Sequence, residues 1–194
     1  MPKVVVEYKD QARDRLVDAA LAVFHSKGFR SATMEDIAKQ IGVSKGAIYL
    51  YFPTKTALLA QVQQRSRERI VAAWRRLIES GDVAEGIARS IDEVLSGEAD
   101  PGVWHELVAE AATDPEIRQA LRTDHDEDLV AMTDFLRRLE ARGRVRKLRD
   151  PTTAAGIVLG LLHAAVLDYM LRGRREESRE LLVRELRYLL EKGR

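Results

Sequence analysis

Apolar residues recur along this chain at three- and four-residue spacing, separated by charged positions. Alternating runs of β-branched residues are absent apart from Val4 to Val6, so the pattern predicts an all-α protein of about nine or ten helices. Asp100-Pro101, Asp114-Pro115 and Asp150-Pro151 each place a capping aspartate before a proline at the first helical position, which marks three helix starts. Gly28, Gly81, Gly97, Gly143 and Gly173 fall where helices should end, because glycine adopts the left-handed C-terminal cap without steric cost.

The segment Thr152 to Leu171 is apolar on all sides apart from Thr152, Thr153, His163, Asp168 and Tyr169. Its uninterrupted apolar stretch is shorter than the roughly 20 residues a bilayer needs, and it contains His163, so a buried helix is expected rather than a membrane span. Gly156, Gly160 and Ala164 form a smooth stripe at four-residue spacing against which another helix can approach closely. The next helix carries Leu182, Leu186, Leu189 and Leu190 on one face. Together they predict a helical hairpin that self-associates through Gly156, Gly160, Ala164, Leu182, Leu186 and Leu189.

Between Thr33 and Phe52 the pattern reads helix, tight turn, helix. Thr33 with Asp36 makes a capping-box-like start, Ile37 and Ile41 face inward, and Ala38 lets a second helix cross closely. Gly42 permits the turn, Val43 is expected to plug the angle between the helices, and Ser44 caps the second helix. Ile48 and Phe52 point inward there, leaving Ser44, Lys45, Gly46, Ala47 and Tyr49 on or near an outer face suited to the DNA major groove. Gly46 inside a short helix costs about 1 kcal/mol relative to alanine, which something approaching the backbone closely would explain. Lys55 opens the following helix, where the positive end of the dipole disfavours a cation unless an anion is near; a DNA phosphate would supply one.

Charge supports this reading modestly. Residues 1 to 56 carry nine Lys and Arg against six acids, a surplus of three in a chain of net charge +1. With no cysteine among its 194 residues, the chain has neither disulfides nor thiolate metal sites, and with no signal-like leader a cytoplasmic location is expected.

From Arg15 through Leu59 these residues resemble the tetracycline-repressor (TetR) family of bacterial regulators. The resemblance covers about a quarter of the chain, with Ala19-Ala20, Phe24, Gly28-Phe29, Ile37-Ala38, Gly42-Val43-Ser44, Tyr49-Leu50-Tyr51-Phe52 and Lys55 in order. It implies that Thr33, Ser44, Lys45, Gly46, Ala47, Tyr49, Tyr51 and Lys55 line a DNA surface, with Lys45 and Ala47 nearest the base edges. Ala32 stands where the family often has threonine, so one phosphate contact is not carried over. The resemblance further implies a DNA-binding domain over 1–55 and a ligand-binding, dimerising domain over 56–194. Candidates for the pocket are Trp74, Ile78, Ile91, Leu95, Trp104, Leu107, Val108, Met132, Phe135 and Leu136, with His163 as a polar anchor.

The expected function is thus a homodimeric repressor released from palindromic operator DNA by a small apolar or amphipathic effector. A constitutive DNA-binding factor and a metal-responsive regulator are the alternatives. Enzymatic chemistry has little support: His105-Glu106 lacks the second histidine of a zinc-protease helix, and no phosphate loop or nucleophile elbow is present. The run Asp124-His125-Asp126-Glu127-Asp128 reads as a helix start whose acids complement the dipole, and neither cofactor nor metal is expected.

Overall fold

The computed structural model describes residues 3–77, 82–96 and 101–191. Among them are nine α-helices and no strand: α1 (Lys3–Lys27), α2 (Met34–Gln40), α3 (Lys45–Tyr49), α4 (Lys55–Leu77), α5 (Val83–Ser96), α6 (Pro101–Glu110), α7 (Pro115–Ala141), α8 (Pro151–Arg172) and α9 (Arg175–Leu190). Two of the three Asp-Pro starts are visible as caps. Asp114 accepts the Glu116 N–H at 2.8 Å and Asp150 the Thr152 N–H at 3.0 Å, whereas Asp100 lies outside the described residues. Gly28, Gly143 and Gly173 end helices with positive φ; Gly81 and Gly97 are outside the description.

The chain forms two compact units, one from residues 1–66 and 98–124, the other from 67–97 and 125–194. This differs from the division expected between residues 55 and 56. Helix α4 runs through both units, and α6 with the start of α7 joins the N-terminal one, because Leu107 and Ile117 are buried in its core. Chain order alone does not reveal a segment that returns to an earlier core.

In the first unit α1 contributes Leu16, Val17, Ala20, Val23 and Phe24, a stripe at helical spacing. Onto it pack Ile37 and Ala38 of α2, Ile48 of α3, Phe52, and Leu58 and Leu59 of α4. Gly28 ends α1 at φ 76°, returning its N–H to Phe24 O at 2.9 Å. The chain then places the Phe29 ring edge-on to Phe24, 5.2 Å between centroids. Val43 does not plug the angle between α2 and α3: it is 38% exposed, and its N–H returns to Ala38 O at 3.0 Å. The left-handed Gly42, φ 71°, turns the chain so that residue 43 faces outward.

In the second unit Trp74, Met132, Phe135, Leu136 and Leu139 share a core with Ala155, Val158, Leu182, Leu186 and Leu190. The hairpin of α8 and α9 is present, but its buried side corrects the expected one. Leu182 and Leu186 are fully buried within this unit, and Leu189 packs partly against the same core. They face α5 and α8 rather than a second copy, since α9 makes close contacts with both helices. Gly156 is half-buried beside Leu129, whereas Gly160 and Ala164 are exposed. The stripe that remains uncovered on α8 is Ile157, Gly160, Ala164, Leu167 and Leu171, joined on α9 by Leu181 and by Tyr188, 86% exposed. By length and composition α8 could cross a membrane; in this unit Ala155 and Val158 are fully buried in the core.

Candidate nucleic-acid interface

The outer face of α3 starts from its cap. The Ser44 hydroxyl accepts the Ala47 N–H at 3.2 Å and so orders one of the orphan donors of a five-residue helix. Ile48 is the buried residue of that helix, and Ser44, Lys45, Gly46, Tyr49 and Leu50 are exposed, Leu50 at 85%. Ala47 and Tyr51 are half-buried, Tyr51 against the core of the unit. A methyl group built on Gly46 meets nothing nearer than the Ser44 hydroxyl at 4.0 Å, so the protein's own packing does not demand glycine there. Sequence reasoning missed Leu50 and Val43, two exposed apolar residues flanking the same face; their only sequence signal is an apolar residue off the inward stripe.

The support beneath this face is electrostatic. The Thr33 N–H and hydroxyl both donate to Asp36, at 3.0 and 2.7 Å, and the Asp36 N–H donates back to the hydroxyl at 3.1 Å, a complete capping box. Lys27 reaches the other Asp36 oxygen at 2.6 Å. The Lys27 bond first, then those from Thr33, bring the Asp36 pKa down to about 2. Thr33 is exposed as expected, with its hydroxyl proton already engaged in the box.

Lys55 corrects the expectation that a phosphate answers its charge. Its ammonium donates to Phe29 O at 2.6 Å, Ala32 O at 2.8 Å and Arg30 O at 3.3 Å, and stands 4.3 Å from the Phe29 ring centroid. Three donors meet three carbonyls inside the unit. Burial lowers its pKa, and the nearby Glu106 and Glu110 carboxylates oppose that shift.

The proposed pocket residues are dispersed. Trp74, Met132, Phe135 and Leu136 meet in the core of the second unit, with the Trp74 and Phe135 rings 5.6 Å apart. Trp104, Leu107 and Val108 belong to the first unit, where Leu107 is core, Trp104 is half-buried and Val108 exposed. Grouping them with the body overlooked that α6 packs on α1. Ile78 lies outside the described residues, as do the side chains of Ile91 and Leu95 on α5. His163 is exposed on α8 rather than enclosed, and lowers the pKa of Asp128, which burial raises more strongly.

The acidic run 124–128 is not a helix start. It lies in the middle of α7, where Asp128 bonds Arg67 Nε at 2.5 Å and Glu127 pairs with the same guanidinium. No group of three or more metal-ligating side chains occurs among the described residues. A cleft of about 380 Å³ that no sequence signal indicated lies between α5 and α9, lined by Glu85, Arg179, Glu180, Val183, Arg184 and Arg187.

Comparison with known proteins fits this geometry. Residues 16–62 match the family model for bacterial regulatory proteins of the tetR family. The transcriptional repressor Rv1474c of Mycobacterium tuberculosis is 31% identical over 75% of this chain and 75% of its own length. The fold is that of a regulator from Saccharomonospora viridis in complex with choline (TM-score 0.70, 19% identity, 95% of this chain and 100% of that one). It is also that of SmeT in complex with triclosan (TM-score 0.72, 21% identity, 93% and 91%). The helix-turn-helix, its exposed recognition face and a repressor relative spanning three quarters of both chains agree: this protein belongs to the TetR family of DNA-binding transcriptional regulators.

Proposed function

We propose that this chain is a ligand-responsive repressor acting in the cytoplasm. As a homodimer it sets the α3 helices of two subunits in successive major grooves of a palindromic operator, about 34 Å apart. Residues 1–55 carry the DNA contacts, and the rest of the chain serves effector binding and dimerisation, apart from α6 and the start of α7, which pack in the N-terminal unit. The observation that carries the reading is α3 itself: a short capped helix whose one buried side chain, Ile48, leaves Lys45, Gly46, Tyr49 and Leu50 open to a duplex.

Lys45 suits guanine O6 and N7, and the apolar Ala47 and Leu50 suit the thymine methyl. Ser44, Tyr49 and Tyr51 suit phosphates, while Thr33 keeps its donors on Asp36 and holds the cap of α2 beside them. Repression is supported by the name of the Mycobacterium tuberculosis relative, and effector control by the choline and triclosan complexes of proteins that share the fold. The effector is a small apolar or amphipathic molecule, a choice supported by the apolar composition of the body. Self-association is supported by the uncovered stripe on α8, which replaces Leu182 and Leu186 as the expected interface.

Gly46→Ala and Lys45→Ala test the reading. Alanine at 46 has room and should stabilise α3 by up to about 1 kcal/mol. It should still weaken binding to a duplex selected from a random pool, because its methyl stands between backbone and DNA. Lys45→Ala should alter sequence preference more than nonspecific affinity. A purified chain that ignores duplexes in dilute salt, or a Gly46→Ala variant that binds as wild type, contradicts the proposal.

A further inference from the structure

The turn from Gly28 to Ala32, which leads from α1 into the helix-turn-helix, is gripped from two sides. From α6, Glu106 accepts the N–H of Phe29 at Oε2 and that of Arg30 at Oε1, each at 2.7 Å. Two successive backbone N–H groups converging on one carboxylate form a nest with a charge-assisted, two-pronged bond. From the start of α4, the Lys55 ammonium takes the carbonyls of Phe29, Arg30 and Ala32. Gly28 makes the grip fit: with φ 76°, a Cβ there would stand 2.8 Å from Glu106 Oε2. One turn further along α6, Glu110 pairs with Arg30 at 3.4 Å.

Satisfying the backbone does not need both prongs: the Phe29 N–H is part-buried and calls for one acceptor, but water can take the exposed Arg30 N–H. Two charged side chains from different helices instead fix where the turn lies, and α2 and α3 follow directly from it. All of these residues lie in the same compact unit.

We propose that Glu106 is a positioning residue for DNA binding: its clasp on the Phe29 and Arg30 N–H groups sets the stance of α2 and α3, and opening the clasp lowers affinity for the duplex. The proposal rests on the DNA-binding reading above. It also implies a reciprocal effect, since a contact that favours DNA must itself be tightened by DNA to a comparable degree.

The test uses the full chain and a duplex selected from a random pool by the wild type. Glu106→Gln keeps the shape but turns an amide NH₂ toward a backbone N–H, so it can serve only one of the two donors. Its affinity should fall about tenfold or more. In the wild type, duplex should slow amide exchange at Phe29 and Arg30 by a comparable factor. That slowing should be lost in Glu106→Gln, which distinguishes the clasp from simple shielding by DNA. Val158→Ala, a core truncation in the other unit, should lower the thermal midpoint and leave DNA affinity unchanged. Wild-type affinity in a folded Glu106→Gln chain overturns the proposal while leaving the DNA-binding reading intact. Should that variant not fold, the wild-type exchange decides: rates at Phe29 and Arg30 that are equal with and without duplex overturn it. A wild type that selects no duplex removes the DNA-binding reading and this inference with it.

Discussion

Single residues here act mainly through where their charge is placed. Asp36 has a folded-state pKa of about 2 against an ordinary 3.8, because Lys27 and Thr33 bond its ionised form. A carboxyl whose pKa falls on folding contributes stability above its unfolded value and loses it as pH drops through the folded one. The first unit should therefore lose stability between about pH 4 and pH 2 as Asp36 protonates. Asp36→Asn should abolish that component and leave the unit less stable at neutral pH. Carboxyl titration by NMR, with pH-dependent urea unfolding of both proteins, checks this; an Asp36 midpoint near 4 contradicts it. Lys55 illustrates the opposite lesson. Its placement at a helix start was legible as an anomaly, but the carbonyls of a turn more than twenty residues earlier resolve it.

At the scale of elements, the two faces of the α8–α9 hairpin should separate in experiment. Leu186→Ala removes a fully buried side chain from the second unit and should cost about 2–5 kcal/mol in urea unfolding. Leu167→Asp lies on the uncovered stripe, so it should leave the fold of the subunit intact and weaken self-association in sedimentation experiments. Equal loss of folding stability in both variants would contradict this division. The starts at Thr33, Ser44, Asp114 and Asp150 and the ends at Gly28, Gly143 and Gly173 were readable in the sequence, since caps act within three or four residues, whereas the acidic run 124–128 gave a false start inside α7. The faces were less so: α8 is apolar nearly all round, and its periodicity therefore does not indicate which side is covered.

At the scale of the whole molecule, control by an effector requires different affinities for DNA-competent and DNA-released conformers. A compound that binds the folded chain raises its melting temperature, by about 2.7 kcal/mol of stabilisation at a hundredfold excess over Kd. Among compounds selected from a library by that shift, an effector should also release the duplex, and duplex should weaken its binding by the same factor. If none of the stabilising compounds affects duplex binding, the ligand-responsive part of the proposal fails. The grouping of α6 and the start of α7 with the N-terminal helices bears on this, because Trp104, Leu107 and Val108 belong to a different unit from Trp74 and Phe135.

What the sequence determined by itself is local: helical class, the caps at Thr33, Ser44, Asp114 and Asp150, the turn at Gly42, and a helix-turn-helix whose inward residues are Ile37, Ile48 and Phe52. Each rests on interactions a few residues apart, so spacing alone encodes them. Only the tertiary structure decided that Leu182 and Leu186 turn inward, that Lys55 closes on the chain's own carbonyls, and that Glu106 reaches the turn at Phe29 across 77 positions. Apolarity and charge specify that a side chain needs a partner, but which partner meets it depends on the path of the backbone between them.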